Sequence, residues 1–486
     1  MTNNPANTEL SGISPNLHGR RQIFSDFDTV TRENIEEIFT EGMNVFARNR
    51  GECKFLWDYY RNQQPVLART KEVNGHIVNR IVENHAYEIV EFKTGYEFGS
   101  PIQYVSKETK GLTDVTLLNR YTEADEKSSK DIELATWMHV CGHGYKIVLP
   151  EEEDDTGAPF HTEVLSPIST FVVYRNDLYH TPLLGVALSK KNDQMIASCY
   201  AQNHYFELTD GLLTSDRQIL LPEVAIIEYP LNPERMGSFE RVIPMLDAIN
   251  NTASDRQDSI DQFVQAFLAF HNMDIDPEEY AQFKADGAIK FRDISPEMKA
   301  SIDYITAELN QNQTQTYVDH MYETVLRICG VPNRNITKGG TSDNGVAVEL
   351  RDGYVAAESN AKKTELIFKK SEKRFLRLAF QIVYLTRKIV MNANDVEIRF
   401  TRKNYDNILT KSQVLTTMLN NSYIHPRLAF EYCGMFVDPE LAYTESIAYH
   451  EEHPEDRTGT TETVVNEAEE NYAQNNSERL EHIAED

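Results

Sequence analysis

The sequence places Cys141 and His143 two positions apart, and a cysteine near a histidine can form a nucleophile and its base. Two residues separated in this way on a strand face the same side. A catalytic pair also needs a third group that orients the base, and a pocket. Because small residues surround this pair just before a strand pattern, a glycine-flanked turn explains it better than catalysis.

The segment Lys338-Gly339-Gly340-Thr341 contains the residue types of a phosphate-binding loop in the wrong order. A nucleotide-binding loop has an earlier spaced glycine, ends in Gly-Lys-Ser/Thr and follows an apolar strand. This segment is small, polar and flexible, and its one lysine could contact DNA phosphates weakly. The alternative is an ordinary solvent-exposed connector between two helices.

The histidines and cysteines do not show the spacing of a metal site. The five cysteines are scattered without a CxxC pair, and no HExxH motif occurs. We therefore predict no disulfide framework, no metal and no cofactor, and folding in a reducing compartment. A metal site built from distant carboxylates is the remaining alternative, since the chain has 76 acidic residues.

The charge of the chain limits its partners. Its 486 residues suffice for two to four domains and carry a net charge of −28, with 76 acidic against 48 basic residues. Static wrapping of nucleic acid needs many lysines and arginines and is disfavoured, whereas an acidic conduit could let DNA slide past. No signal peptide and no membrane-spanning run is visible, so we expect no membrane partner.

Hydrophobic periodicity predicts an α+β chain. Apolar residues recur with period two between Met138 and Ile227, which is typical of short strands. The other predicted elements are helices from Thr31, over Asn79–Lys93, Glu240–Phe270, Ala307–Cys329 and residues 408–450, and a strand over Val396–Arg402. Gly330 and Pro332 should end the fourth of these helices, and Pro426 and Pro439 should interrupt the last.

The stretch Val346–Met391 has no proline and one glycine, Gly353, and predicts a helix of roughly 60–70 Å. A helix of this length either spans a subunit or packs against copies of itself. Basic residues from Lys362 to Arg377 crowd its middle. They form either a solvated face balanced by nearby glutamates or a contact with acidic neighbouring subunits.

Several motifs follow one another in a fixed order along the chain. They are Tyr59 and Tyr60; Asn79-Arg80-Ile81-Val82 with Asn84 and Ala86; Thr94-Gly95-Tyr96 with Gly99, Pro101 and Ile102; residues 138–148; Asp247, Ala248, Asn250, Ser254 and Asp255; and the junction Gly345–Leu350. In this order they resemble the portal proteins of tailed bacteriophages, of the siphophage type. The resemblance covers roughly residues 30 to 450.

The resemblance implies a portal-like fold with a mixed α/β wing, long stem helices, a small clip insertion and a helical crown, assembled as a ring of about twelve subunits. The expected parts are a flexible N-terminal arm (1–28), the wing (29–239), a stem helix (240–270), the clip (271–305), a second stem helix (306–332), a tunnel loop (333–345), the long helix with a returning wing strand (346–403), the crown (404–450) and an acidic, disordered tail (451–486).

The resemblance also implies partners and contact residues. The ring would sit at one capsid vertex of the virion, after assembly in the host cytoplasm, and would conduct double-stranded DNA without sequence specificity and without catalysis. Its partners would be the terminase large subunit, the major capsid and scaffolding proteins, and the head-to-tail adaptor. The DNA-facing candidates are Asn335, Thr337, Lys338, Gly339, Gly340, Thr341, Ser342 and Asn344. The clip candidates for motor or adaptor contact are Glu278, Glu279, Lys284, Lys290 and Arg292.

Two other classes of protein compete with this interpretation. A metal-dependent DNA hydrolase would carry a compact acidic motif at fixed spacing on strands, and no such motif is found. A non-viral acidic scaffold or adaptor protein would be a monomer or dimer rather than a large ring.

Overall fold

The computed structural model describes residues 19–70, 77–107, 113–151, 157–264, 267–271, 301–305, 311–333, 343–402, 408–421, 423–436 and 439–453. The chain divides into two compact units, Met1–Arg402 and Lys403–Asp486. The helices are α1 (Ile35–Tyr60), α2 (His85–Phe98), α3 (Val115–Ala124), α4 (Lys127–Cys141), α5 (Ile243–Val264), α6 (Gln311–Cys329), α7 (Asp343–Arg387), α8 (Ile408–Leu419), α9 (Pro426–Cys433) and α10 (Pro439–Glu452).

The strands confirm the predicted α+β class. They are β1 (Ile23–Ser25), β2 (Gln103–Ser106), β3 (His143–Pro150), β4 (Phe160–Leu165), β5 (Thr170–Arg175), β6 (Pro182–Lys191), β7 (Gln194–Ala201), β8 (His204–Thr209), β9 (Leu212–Gln218), β10 (Ile226–Pro230), β11 (Phe267–His271), β12 (Ser301–Ile305) and β13 (Val396–Arg399). One sheet has the order β1-β5-β6-β7-β8-β9, a second β10-β3-β4, and the pairs β2–β13 and β11–β12 complete the set.

Among the described residues, three apolar clusters hold the first unit together. The largest joins the sheet β10-β3-β4 to the middle and C-terminal part of α7 and to the pair β2–β13. The second lies among α1, α2, α5 and α6, and the third between α1 and the six-stranded sheet. The long helix is therefore anchored in the mixed domain, and Val396–Arg399 returns to that domain as predicted.

The N-terminal arm is shorter than predicted. Residues 1–18 lie outside the described residues, but Ile23–Ser25 forms a strand parallel to β5. Arg20 is buried and paired with Glu240 and Glu52. The prediction of a flexible arm is therefore wrong for residues 19–28, because the pairing with β5 and the ion pairs of Arg20 hold that segment on the first unit.

Two predicted helices have different ends. Residues 79–84 are not helical; α2 begins at His85, and the Asn84 side chain caps it by accepting from the backbone N–H of Tyr87. The prediction of a helix up to Phe270 is also wrong, since α5 ends at Val264 and Phe267–His271 pairs with Ser301–Ile305. These two strands enclose the predicted clip, whose residues 272–300 lie outside the described residues.

The long helix is confirmed, although its ends move. It has 45 residues, from Asp343 to Arg387, and is about 68 Å long. It ends four residues before Met391 because Lys388 takes a left-handed conformation, with φ +59°. None of the helices in the described part of the chain is long and apolar enough to cross a bilayer.

The second unit contains α8, α9 and α10. Pro426 and Pro439 stand at the first positions of α9 and α10, so the predicted interruptions are confirmed. Proline is suited to a first helical position, where its missing N–H has no partner to lose. Phe430 of α9 packs on Phe436 and on Tyr443 of α10. Most of the predicted acidic tail, from residue 454, lies outside the described residues.

Candidate functional site

The extended segment that precedes α2 is hydrogen-bonded along one face of α5. Asn250, Ser254 and Asp258 are buried and lie four residues apart, and each accepts a backbone N–H from the segment. The donors are Glu83 (2.8 Å), Ile81 (3.0 Å) and Asn79 (2.6 Å), respectively. Four residues of helix advance about 6 Å and two residues of strand about 6.6 Å, so the two spacings match. We call this contact the polar seam.

Further side chains extend the polar seam at both ends. Gln64, which is fully buried, accepts from Asn250 Nδ2 and donates to the cap residue Asn84 at 3.0 Å. At the other end Arg69 pairs with Asp258 and with the exposed Asp255. The motif residues Asn79, Asn84, Asn250, Ser254 and Asp255 therefore meet in one place. Their shared role is to fix helix α5 to the chain between α1 and α2.

His85, at the start of α2, links the polar seam to α6. Its ring lies 3.0 Å from Glu88 Oε2 and 3.3 Å from Glu83 Oε2, and its centroid is 4.5 Å from that of Tyr322. Burial alone would lower the pKa of His85, but hydrogen bonds to both glutamates raise it to about 9. The imidazolium is thus the charged partner of two carboxylates at the junction of α2 with α6.

The end of α6 packs against α7 beside the predicted tunnel loop. Gly330 has φ +68°, and a Cβ there would meet the Asn360 side chain. Gly353 lies seven residues before Asn360, which is about two turns of α7. A Cβ on Gly353 would lie 3.1 Å from Pro332 Cβ. The helix begins ten residues before Gly353, about 15 Å beyond this contact. Residues 334–342 join Asn333 to that beginning.

The middle of α7 is fixed to α4, β2, β3 and β10 by a buried charge cluster. Glu372 accepts from Lys127 Nζ at 2.8 Å, from Tyr229 Oη at 2.8 Å and from Tyr104 Oη. Asp131 lies 2.5 Å from the Nζ atoms of both Lys127 and Lys146. Every one of these side chains is buried. We call Lys127, Asp131, Lys146 and Glu372 the buried cluster.

The buried cluster is balanced in charge, with two lysines and two carboxylates. Burial works against ionisation of Glu372, but Lys127 and Lys146 lower the pKa of Glu372 to about 2. Burial also lowers the pKa of Lys146, in spite of Asp131. No side chain of the cluster reaches solvent, so a substrate has no access to it. The role of the buried cluster is structural: it holds α4, β3 and α7 in a fixed arrangement.

The pair Cys141 and His143 forms the predicted glycine turn. Cys141 ends α4, Gly142 has φ +84°, and His143 begins β3. Burial raises the pKa of the Cys141 thiol and lowers the pKa of His143 to about 3. A buried thiol without a protonatable neighbour is not a nucleophile. Within the described residues, no group of three or more His, Cys, Asp or Glu side chains could hold a metal ion.

The structure places few of the predicted contact residues. Asn344 lies in the first turn of α7, so assigning it and Gly345 to a loop is wrong; the helix begins at Asp343. The other tunnel-loop candidates lie outside the described residues: Asn335, Thr337, Lys338, Gly339, Gly340, Thr341 and Ser342. The same holds for the clip candidates Glu278, Glu279, Lys284, Lys290 and Arg292. The sequence interpretation missed the buried cluster, for which a lysine inside the apolar strand YKIVL was the one local sign.

A comparison with protein families identifies the family to which this chain belongs. The family model of phage portal proteins, described as SPP1 Gp6-like, matches residues 43–458, which include the polar seam, the buried cluster and parts of both units. The chain belongs to the phage portal protein family. The family is a structural one, and its members connect the capsid to the outside at one vertex of the virion. The chain is thus a phage portal subunit, as its motifs indicated.

Comparisons with individual proteins add less. Two solved structures, described as the neck of a native GTA particle computed with C12 symmetry and the neck of an empty GTA particle computed with C6 symmetry, are 11% identical to this portal subunit. The match to the first has a TM-score of 0.41 and covers 72% of this chain and 89% of the other chain. The match to the second has a TM-score of 0.42 and covers 79% of this chain and 94% of the other chain. No curated protein matches the chain.

The polar seam gives a prediction on helix α5. Asp258→Asn should lower the free energy of unfolding by about 2 kcal/mol, because its buried carboxylate accepts two bonds from Asn79 and pairs with Arg69. Urea denaturation would measure this loss. Asp255→Asn is the matched control, since Asp255 pairs with the same arginine but is mostly exposed, and it should change stability by less than about 1 kcal/mol. Equal losses would contradict the seam's role.

Proposed function

We propose that this portal subunit closes into a ring of about twelve copies around a channel for double-stranded DNA. The family match over residues 43–458 carries this proposal. A helix of about 68 Å supports it, because a single domain of this size cannot cover such a helix along its whole length. Large apolar side chains on its surface, Val355 and Leu366, are exposed in the single subunit.

The parts of the ring follow from the order of the elements. In this proposal residues 29–239 with the strand Val396–Arg399 form the wing, α5 and α6 the stem, and residues 271–305 the clip. The tunnel loop was predicted over residues 333–345; since α7 begins at Asp343, the proposed loop is residues 333–342, directly before the long helix. Helices α8 to α10 form the crown.

The channel in this proposal guides DNA by charge rather than by chemistry. A net charge of −28 repels a polyanion, so DNA would slide rather than adhere. One lysine per subunit, Lys338, would touch passing phosphates weakly and without sequence specificity. The ring has no catalytic activity of its own; ATP hydrolysis belongs to the terminase large subunit.

The remaining partners in the proposal belong to capsid assembly. The ring forms in the host cytoplasm with the major capsid and scaffolding proteins and takes up the genome through the docked terminase. The head-to-tail adaptor then attaches to the clip, and DNA leaves by the same channel. Glu278, Glu279, Lys284, Lys290 and Arg292 are the proposed contacts among the charged residues of that insertion.

Charge reversal in the loop tests the DNA contact. Lys338→Glu should reduce the yield of DNA-filled heads at least about tenfold, because each subunit then presents a repelling charge to the phosphates. The assay is packaging in vitro, with ring assembly measured on the same preparation. Lys363→Glu, an exposed position on α7, is the control and should package normally. Wild-type packaging by Lys338→Glu would remove the loop from the mechanism.

The first experiment on the function is the native mass and shape of the purified chain. Light scattering and electron microscopy should show a particle of about twelve subunits with a central hole. A monomer or dimer at all salt and protein concentrations would contradict the ring. Cleavage of plasmid DNA with Mg²⁺ or Mn²⁺ would instead favour the hydrolase.

A further inference from the structure

The middle of helix α7 presents a basic surface to solvent. Six residues between positions 362 and 377 are exposed, and five of them are cations. The six are Lys362, Lys363, Leu366, Lys370, Lys373 and Arg377. The carboxylates of the same stretch do not neutralise this surface, because Glu372 is buried and Glu365 is largely buried and pairs with Lys369 and Arg402. In a chain of net charge −28, this side of α7 is therefore a distinct surface.

Only part of this surface is neutralised within the subunit. The first and the last of its cations lie 3.7 Å and 2.6 Å from glutamates of the same chain. Within the part of the chain that the structure describes, Lys370 and Lys373 have no ion-pair partner. Leu366, one turn before Lys370, is 71% exposed. We call Leu366, Lys370 and Lys373 the basic face; Lys363 lies about 60° around the helix from Leu366, outside it.

The beginning of helix α1 presents an acidic surface to solvent. The charged residues between positions 31 and 44 are all exposed, and they are Arg32, Glu33, Glu36, Glu37 and Glu41. Glu36 accepts the backbone N–H of Leu213 at 2.9 Å, which brings the start of β9 beside this helix. Leu212, directly before it, is 65% exposed. We call Glu37, Glu41 and Leu212 the acidic face; among the described residues, its two glutamates have no ion-pair partner.

Strand β5 lies between α1 and β10. The Phe46 ring of α1 stacks on the Phe171 ring of β5, with centroids 4.7 Å apart. The next residue, Val172, pairs with Gly185 of β6, and a Cβ on Gly185 would lie 2.7 Å from Ile226 of β10. Because successive side chains of a strand point to opposite faces, α1 covers one face of the six-stranded sheet and β10 the other.

Strand β10 in turn lies between the six-stranded sheet and α7. Glu228, two residues after Ile226, bonds to Tyr174 of β5. Tyr229 points to the other face, where its ring lies 4.9 Å from that of Phe368 on α7. Helices α1 and α7 are therefore the outer layers of a four-layered arrangement. Since the acidic and basic faces lie on the exposed sides of these helices, they point away from each other on opposite sides of the first unit.

We infer that the basic face of one subunit docks on the acidic face of the next copy in the ring. Complementary surfaces on opposite sides of a subunit make a head-to-tail contact, and such contacts generate rings when the rotation closes. This inference rests on the proposed ring. In the contact the two lysines lie opposite the two glutamates, and Leu366 packs beside Leu212.

The exposed leucines favour a second copy over DNA as the occupant of the basic face. A DNA backbone would offer Leu366 charged phosphates, whereas a second copy offers it Leu212. Apolar contacts with polar groups around them are the usual composition of a protein interface. The charge pairs fix the orientation of the two copies and disfavour pairing of two basic faces.

Charge reversal tests the contact. The basic-face variant is Lys370→Glu with Lys373→Glu, and the acidic-face variant is Glu37→Lys with Glu41→Lys. Each variant alone places like charges in every contact of the ring, so each should raise the concentration needed for assembly at least about tenfold. An equal mixture of the two should assemble at close to the wild-type concentration, because alternating subunits restore opposite charges in every contact. Light scattering and electron microscopy would measure both.

The control for charge reversal is Lys363→Glu with Arg120→Glu. This variant changes the net charge by the same amount as the basic-face variant, at two exposed positions outside the contact, and it should assemble normally. All four reversed side chains of the test variants are also exposed, so both test variants should keep the circular dichroism spectrum of the wild type.

Cross-linking locates the contact. The five native cysteines are buried, so introduced thiols react selectively. A chain with Leu212→Cys and Leu366→Cys, treated with a short bismaleimide, should give a ladder of covalent oligomers on a denaturing gel. Leu212→Cys with Val355→Cys is the matched control and should not cross-link. Val355 is 63% exposed on the same side of α7 but lies about 16 Å nearer its beginning.

The outcomes separate this inference from the proposed ring. Rings of the wild type together with a folded mixture that fails to assemble, or with no 212–366 ladder, would overturn the inference and leave the ring standing. Normal assembly of the basic-face variant with loss of packaged DNA would also overturn it and would assign the basic face to DNA. A wild type that never forms rings would overturn both.

Discussion

Glu372→Ala should lower the free energy of unfolding by about 3–5 kcal/mol, the largest loss that we expect from one substitution in this chain. The substitution leaves Lys127 buried beside one carboxylate instead of two and removes the acceptor of the Tyr104 and Tyr229 hydroxyls. Since these groups cannot reach water, their lost interactions are not replaced. Denaturant unfolding of the variant and the wild type would measure the difference.

The matched control for Glu372→Ala is Lys362→Ala on the same helix. Lys362 is largely exposed and lies 3.7 Å from Glu358, so it should change stability by less than about 1 kcal/mol. Removal of both charges tests the cause: Lys127→Met with Glu372→Leu should recover part of the loss, because no unpaired charge stays buried. If Glu372→Ala behaved like the control, α7 would not depend on the buried cluster.

For assembly of the proposed ring, we expect the position of the long helix to matter more than its stability. Contacts of Glu372 with α4, β2 and β10 fix the rotation of α7 about its own axis. The beginning of this helix lies about 43 Å from Glu372 along the helix and directly follows the proposed tunnel loop. A small rotation at the joint would therefore move the loop, and we expect variants of the buried cluster to assemble irregular rings.

Local patterns predicted the elements whose causes are local. Gly330 ends α6 with a left-handed φ, and Pro426 and Pro439 begin new helices, because each residue restricts its own backbone. The strands between Met138 and Ile227 were predicted from their period-two pattern for the same reason. The conformation of residues 79–84 was not predicted correctly. Their apolar spacing suits a helix, but the backbone N–H groups of Asn79, Ile81 and Glu83 bond to α5 instead.

The candidate sites depended on distant residues, which a single sequence does not pair. Asn250 and Ser254 could be recognised as motif residues, but not as acceptors for Glu83 and Ile81. Lys127 and Glu372 are 245 positions apart, and nothing in their neighbourhoods predicts that they meet. The strand partner of Phe267–His271 was missed for the same reason.

His143 should make the fold acid-sensitive well above the range in which carboxylates titrate. Burial lowers its pKa to about 3, and Arg20 and Arg235 oppose the effect of Glu228. Its Nδ1 atom is buried without a hydrogen-bond partner, so a proton added there would be an unpaired buried donor. Below pH 6.5 the unfolded chain therefore binds a proton that the folded chain does not.

The sign of this linkage is fixed by the lowered pKa. The contribution of His143 is complete above pH 6.5 and is lost as the pH falls toward 3, by up to about 1.4 kcal/mol per pH unit. Glu372 and Glu228, whose pKa values are lowered to about 2, lose their contributions only below about pH 4.5. His85, with a pKa raised to about 9, loses its contribution only on the alkaline side of pH 6.5.

Between pH 6.5 and 4.5, the contribution of His143 to stability changes with pH, whereas those of Glu372, Glu228 and His85 do not. Urea denaturation at intervals across that range should show a falling stability in the wild type and in His320→Gln, an exposed control. In His143→Gln, which keeps a polar side chain but cannot bind the proton, the fall should be reduced by about 1 kcal/mol per pH unit. An unchanged slope in His143→Gln would mean that the buried imidazole gains a partner for its proton when the pH falls.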